Sequence, residues 1–344
     1  MKCNYCEFRC ELSKGKGKCH MYEEIDGKIL EKYPNEWTRC DTVDVEQIPL
    51  FHIYPNSRFL QLGGFNCNAS CAYCINSSMA INPQEVFTNK LTPVQIADRA
   101  TTLGCIGIHF GINEVTVNLP SALALAREAK TRGLAVGCSS NGYFTPEAAE
   151  MMAGAFDFFN ISLKSISDQF YQEYTGLRSA AVVMRNIEYL AARAHLEVTT
   201  PIVQDQNEDE IPAIVEYLSG IDPEIAWHVF RLIPRHQMST ATPPNVEKLA
   251  KMIESTRRKL PFIYFGNFIG STWVDTICPQ CGEILIERLC VSACGAKFIK
   301  QYLQSPNCPQ CGRAIPVRYP EPGNIALNTL GQDPRDKKET TYTR

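Results

Sequence analysis

The sequence predicts an α/β protein: a partial (β/α)6 barrel of the TIM type, with small cysteine-rich, metal-binding extensions at its N- and C-terminal ends. Three observations predict it. Short apolar runs alternate with amphipathic helical stretches through the middle of the chain. The 344 residues, 44% hydrophobic and 21% charged, suit one large globular domain plus appendages. Sixteen cysteines fall mostly into three clusters, two of them near the ends. A full eight-fold barrel would leave no residues for those ends.

The elements follow in order. "RFLQLGG" (58–64) reads as the first barrel strand and runs into a cysteine loop. "TPVQIADRATTLG" (92–104) is a helix with a Thr cap. "IGIHFG" (106–111) is a strand, and "LPSALALAREAKTRG" (119–133) a helix stopped by Gly133. Strand "LAVGCSSN" (134–141), helix "TPEAAEMMAGA" (145–155) and strand "FDFFNISLK" (156–164) continue the alternation. A helix over 183–194 puts Val183, Ile187, Leu190 and Ala194 on one face. Strand 196–203, helix 209–220, strand 225–233, helix 246–260 and a last strand over 262–268 complete the series. Serial β/α units imply parallel strands, helices outside, and chemistry at the C-terminal strand ends. The expected organisation is an N-terminal extension (1–48), the barrel (49–270), a metal-binding lobe (271–320) and a polar tail (321–344) whose end, 333–344, is expected to be disordered.

Composition narrows the function classes. A net charge of −3 gives no argument for nucleic acid or an acidic membrane as partner. Apolar runs fall far short of the ~20 residues of a membrane span. "MKCNYCEFRC" has no apolar core of a signal peptide, so a cytoplasmic location is expected.

In a reducing compartment, clustered cysteines are metal ligands before they are disulfides. Cys67, Cys71 and Cys74 share one loop at the barrel mouth. Three thiolates can hold three irons of a [4Fe–4S] cluster and leave the fourth iron open to a small ligand. The bland alternative is a zinc knuckle completed by a distant ligand. "CPQCG" occurs twice, at Cys278–Gly282 and Cys308–Gly312. Paired turns of this kind hold zinc or a mononuclear iron between Cys278, Cys281, Cys308 and Cys311. Cys290 and Cys294 leave open an accessory [4Fe–4S] site with Cys278 and Cys281. Cys3, Cys6, Cys10 and Cys19 also suit a metal. Cys40, Cys105 and Cys138 stand alone and read as small buried hydrophobes.

"CNASCAYC" (67–74) matches the CxxxCxΦC signature of radical S-adenosylmethionine (SAM) enzymes, with Tyr73 at the aromatic position. "PLFHIYPNS" (49–57), "GINEVTV" (111–117), "SSNGY" (139–143), "ISLKSISDQFYQEYTG" (161–176), "AWHVFRLIP" (226–234), "YFGN" (264–267) and "CPQCG" (278–282) follow in the order of that superfamily's AmmeMemoRadiSam-type branch. The chain therefore resembles that branch, close to pyruvate-formate-lyase-activating enzymes. The resemblance implies that SAM chelates the open iron and is cleaved by one electron from a low-potential donor. The 5′-deoxyadenosyl radical so formed takes hydrogen from a C–H bond. It implies SAM contacts from Tyr73 (adenine), from Gly111, Asn113 and Glu114 (amino group), from Asn141 (ribose), and from Lys164 (carboxylate). His228 is implied as a SAM or substrate contact, with Arg231 and His236 weaker versions of it. The family's Asp-Leu-Lys is Ser162-Leu163-Lys164 here.

Branch resemblance points to a protein substrate, with either glycyl-radical storage or group transfer after abstraction. Cobalamin-dependent methylation is the alternative, although the 66 residues before Cys67 are few for a cobalamin domain. From another class comes a non-catalytic, cysteine-rich interaction protein, which the acidic balance disfavours.

Overall fold

The computed structural model describes residues 1–15, 17–81, 86–291 and 295–320; Cys294 and the polar tail lie outside them. Eight strands form one sheet: β1 (Arg39–Asp44), β2 (Arg58–Gly63), β3 (Gly107–Phe110), β4 (Ala135–Ser140), β5 (Phe158–Ser162), β6 (His195–Ile202), β7 (Ala226–Arg231) and β8 (Ile263–Gly266). Their spatial order is β8-β7-β6-β5-β4-β3-β2-β1. Strands β2 to β8 are parallel, and β1 joins β2 antiparallel. The edges β1 and β8 do not pair, so the barrel is open. Six helices link the parallel strands: α1 (Pro93–Thr102), α2 (Leu119–Lys130), α3 (Pro146–Ala153), α4 (Ala180–Ala191), α5 (Ile211–Ile221) and α6 (Val246–Thr256). This is the expected partial barrel, with six β/α units and a closing seventh strand.

Local chemistry explains the boundaries. Thr92 caps α1 by accepting the Gln95 N–H, and Gln95 returns a bond to the cap. Thr145 caps α3 in the same way through the Ala148 N–H. Each helix turns one apolar stripe inward; α4 buries Val183, Ile187 and Leu190 against the sheet. The edge strand β1 was legible only as extension, because "RCDTVD" is mostly polar and half-exposed.

Rings and one buried ionic network close the bottom of the barrel, at the N-terminal strand ends. A Cβ on Gly137 would lie 2.3 Å from the Phe158 ring, so this glycine makes room for the ring that fills the floor. Phe59 and Phe158 meet edge-on at 5.4 Å, over a plug of Val45, Ile48, Leu50 and Ile53. Glu197 on β6 is fully buried. It accepts bonds from the N–H groups of Phe51 (2.8 Å) and His52 (2.8 Å), and from the rings of His195 (2.9 Å) and His228 (2.6 Å). Burial pushes its carboxyl up, but the two histidines outweigh this and hold it well below the usual range.

The C-terminal lobe packs under that floor. A three-stranded antiparallel sheet (276–277, 284–289, 297–301) carries it. Arg288 is buried, with Nη2 donating to the Phe51 carbonyl at 2.9 Å and Nη1 to Thr276 Oγ1 at 2.8 Å. No helix among the described residues is long and apolar enough to cross a membrane.

Candidate active site and cysteine centres

The cysteine loop leaves β2 at the top of the barrel, and neighbouring strand ends hold it. Asn113, past β3, accepts the Gly64 N–H at 2.9 Å and donates to the carbonyls of Phe65 (3.3 Å) and Asn66 (3.1 Å). Asn76 donates to the Ile112 carbonyl at 2.8 Å. From the other side, the N–H groups of Ser70 and Ala72 donate to the carbonyls of Thr175 and Tyr174, both at 2.8 Å. Those carbonyls belong to a π-helical turn, Tyr171–Thr175. Gly176 ends the turn at φ +66°, where a Cβ would lie 2.3 Å from Ser70 Oγ, so only glycine lets turn and loop approach so closely.

Cys67, Cys71 and Cys74 are all half-buried on this clamped loop. Burial, followed by the Glu114 charge, pushes the Cys67 thiol well above its ordinary range. Burial and Cys71 raise Cys74, while the Lys164 ammonium pulls it down. Lys164 is itself buried, two residues beyond β5. It lies over the Tyr73 ring at 5.8 Å and pairs with no carboxylate among the described residues. Tyr73 is buried against Phe170 (6.5 Å between ring centroids), and its hydroxyl has no partner.

Other predicted site residues take different places. Glu114 is 1% exposed. It accepts from Thr116 N (3.1 Å) and Oγ1 (3.0 Å), from Ser140 Oγ (2.9 and 3.0 Å) and from Asn141 N (2.8 Å). Its oxygens are thus used in tying β3 to β4. Gly111 is buried where a Cβ would meet the His109 ring at 2.7 Å. Asn113 is a loop clamp. Asn141 donates to Asn68 Oδ1 at 2.7 Å and lies 3.8 Å from Cys67 Sγ. His228 sits in the floor network with Glu197, and its Nδ1 has no partner. The sequence reading missed Glu197, His52, His195 and Asn68. A lone carboxylate in the apolar run "LEVTTPIV" was the available signal for Glu197.

The mouth fits a polar, anionic ligand. Tyr73 Oη and Thr199 Oγ1 are buried without partners, and Thr199 pairs in register with Ser162 at the end of β5. Buried polar atoms are normally satisfied, so such orphans mark a place where something else bonds. With the three thiols they fit a [4Fe–4S] cluster and SAM.

The C-terminal quartet differs in geometry. The ligand atoms of Cys278, Cys281, Cys308 and Cys311 all lie within 4.8 Å of one another. Cys278 and Cys311 sulfurs are 3.6 Å apart, as are those of Cys281 and Cys308. Zinc–sulfur bonds of about 2.3 Å in a tetrahedron put sulfurs about 3.8 Å apart, so the quartet suits one metal ion. The two turns are copies. Cys278 and Cys308 donate to the carbonyls of Glu283 and Arg313, and Gly282 and Gly312 donate back to the cysteine carbonyls. Cys290 is buried, with its sulfur 3.6 Å from the Gly295 carbonyl oxygen, and the accessory-site alternative rests on Cys294, which lies outside the described residues.

Residues 63–218 match the family model described as the radical SAM superfamily. An uncharacterized protein of Methanocaldococcus jannaschii is 26% identical over 323 residues, 92% of this chain and 95% of that one. The isethionate sulfite-lyase activating enzyme of Oleidesulfovibrio alaskensis is 26% identical over 137 residues, 39% of this chain and 43% of its own. Among solved structures, SuiB of Streptococcus suis bound to S-adenosylmethionine aligns with a TM-score of 0.48 at 13% identity, covering 62% of this chain and 49% of SuiB. This chain thus spans about half the length of SuiB. The matched segment runs from the end of β2 into α5 and includes the cysteine loop, and over it the chain is similar to the radical SAM superfamily.

Proposed function

We propose that the protein is an enzyme that cleaves SAM reductively and abstracts hydrogen from a C–H bond of a polypeptide. The observation that carries this reading is the loop of three half-buried thiols beside a buried, carboxylate-free Lys164 at the barrel mouth. Cys67, Cys71 and Cys74 would hold the cluster. When bound, it supplies the electron that breaks the C5′–S bond of SAM.

The protein's own residues do the rest. Lys164 gives a fixed positive charge for the SAM carboxylate, and a buried cation without an anion is otherwise costly. Tyr73 and Thr199 present hydroxyls to a bound ligand. Glu114, already saturated by hydrogen bonds, acts as a rigid tie and an anionic background beside Cys67. The Glu197 floor and its aromatic plug exclude water from below, which protects a reactive species.

Two features support a polypeptide substrate. The barrel is open at its edges. Ile75, next to Cys74, and Ile269, just past β8, are 50% and 80% exposed at the mouth end. Apolar side chains around a reactive site suit a docking chain. The curated activating enzyme above points the same way by its name. The Cys278–Cys311 quartet would hold a structural zinc or iron.

The test is isotope transfer. Under reducing, anaerobic conditions with SAM, a partner protein deuterated at the target carbon should pass deuterium into 5′-deoxyadenosine. Label arriving from a small metabolite and from no polypeptide would overturn the substrate assignment.

A further inference from the structure

Four more cysteines lie at the same end of the barrel, outside the site above. Cys3, Cys6 and Cys19 are buried and Cys10 is half-buried. All four line one cavity of about 10 Å³ with Tyr5, Leu12, Tyr22 and Val117. Its walls are otherwise almost wholly apolar, and Tyr5 and Tyr22 pack at 4.7 Å. Each sulfur has a backbone N–H turned to it. Tyr5, Phe8 and Met21 supply those of Cys3, Cys6 and Cys19, each two residues on. Lys18 N–H reaches Cys10 Sγ at 3.3 Å. N–H groups aimed at sulfur stabilise thiolates bound to metal.

The spacing of the sulfurs indicates what they would hold. Among the described residues, the C-terminal quartet is the compact set; no three of Cys3, Cys6, Cys10 and Cys19 come within 4.8 Å of one another. Neither do Cys67, Cys71 and Cys74. Thiolates on one ion sit about 3.8 Å apart. Thiolates on separate irons of a cubane stand roughly 6 Å apart. Like the radical loop, the N-terminal set is not drawn in as tightly as the single-ion quartet.

An independent observation lies beside Cys6. Asn68 is 1% exposed and follows Cys67 directly. Its Oδ1 is bonded to Asn141. Its Nδ2 lies beside the Cys6 thiol and is buried without a formed hydrogen bond. A sulfide or thiolate of a bound cluster would supply the missing acceptor.

We propose that Cys3, Cys6, Cys10 and Cys19 bind a second [4Fe–4S] cluster, separated from the radical loop by Asn68. All four irons would carry protein thiolates, so this cluster has no open position and does not bind SAM.

The test uses the full chain, reconstituted anaerobically with iron and sulfide. A Cys67→Ala/Cys71→Ala/Cys74→Ala variant should keep about four irons and four labile sulfides per chain, with a [4Fe–4S] Mössbauer signal that SAM does not perturb. Adding Cys6→Ser and Cys10→Ser should remove the labile sulfide and leave the C-terminal metal bound, which reports that the chain is folded. Wild type should hold about twice the labile sulfide of the triple variant. A folded triple variant without labile sulfide would overturn the proposal. So would X-ray absorption showing a lone zinc on the N-terminal sulfurs. Should a larger variant fail to fold, Cys6→Ala/Cys10→Ala alone decides: it should halve the labile sulfide, and unchanged sulfide contradicts the assignment. The proposed radical chemistry fails separately, through loss of the SAM-perturbed signal in wild type.

Discussion

The two ends of the barrel are built from similar residues to opposite effect. At the bottom, most groups find partners at short range: Glu197 accepts four bonds, the C-terminal sulfurs meet at 3.6 Å, and in the Glu197 network only His228 Nδ1 is left over. At the top, Lys164 pairs with no carboxylate among the described residues, Tyr73 and Asn68 have unpartnered donors, and neither cysteine set is drawn in as tightly as the C-terminal quartet. Satisfied polar networks rigidify, and unsatisfied ones mark ligands. The comparison locates chemistry at one end and stability at the other.

If the bottom is structural, the largest effect there should come from removing its metal. Cys308→Ser should release that metal and lower the melting temperature by many degrees, since structural metal binding is folding free energy. The SAM-perturbed cluster should still form. Calorimetry with metal analysis checks this, and an unchanged melting curve would break the comparison.

Glu197→Ala should cost about 3–5 kcal/mol in denaturant unfolding, because it strands two histidines and two backbone N–H groups inside the floor. Iron content should stay near wild type. Loss of the radical cluster with little loss of stability would put Glu197 at the wrong end of the account.

At the top, Lys164→Met should behave in reverse. Stability should hold or rise, while SAM affinity falls about ten- to a hundred-fold, or about 1.4–2.8 kcal/mol. Equilibrium binding to the reconstituted protein measures it.

The last expected effect is a pH dependence. Burial pushes His52 and His109 down to about 3, so both are neutral in the folded protein. Unfolded histidine titrates near 6.5, so between about 6.5 and 3 the unfolded state binds more protons. Stability should therefore fall as pH drops through that window, by up to about 1.4 kcal/mol per unit for each histidine. His52→Phe should flatten part of that slope.

Sequence periodicity made the barrel legible, since strand and helix stripes are local signals. The lower cysteine quartet was equally legible, because each "CPQCG" turn makes its own geometry. The floor network was not. Glu197, His228 and Phe51 lie far apart in the chain, and only parallel registration of β6 with β7 brings the two β-strand residues together. His228 therefore looked like a mouth residue. Asn113 and Glu114 looked like ligand contacts because their place past β3 was clear, whereas the bonds that occupy them come from β4 and the cysteine loop. The N-terminal quartet showed as possible ligands, but its shared cavity and the orphan Asn68 donor exist only in three dimensions.

The most direct test of reactive thiols at the top is electron paramagnetic resonance of the reduced full chain, with and without SAM, in wild type and Cys71→Ala. Wild type should show a [4Fe–4S]+ signal that SAM shifts, and 5′-deoxyadenosine should accumulate. Cys71→Ala should lose both the shift and the product while the C-terminal metal stays bound. A Cys71→Ala protein that still responds to SAM and cleaves it would contradict the assignment of the loop.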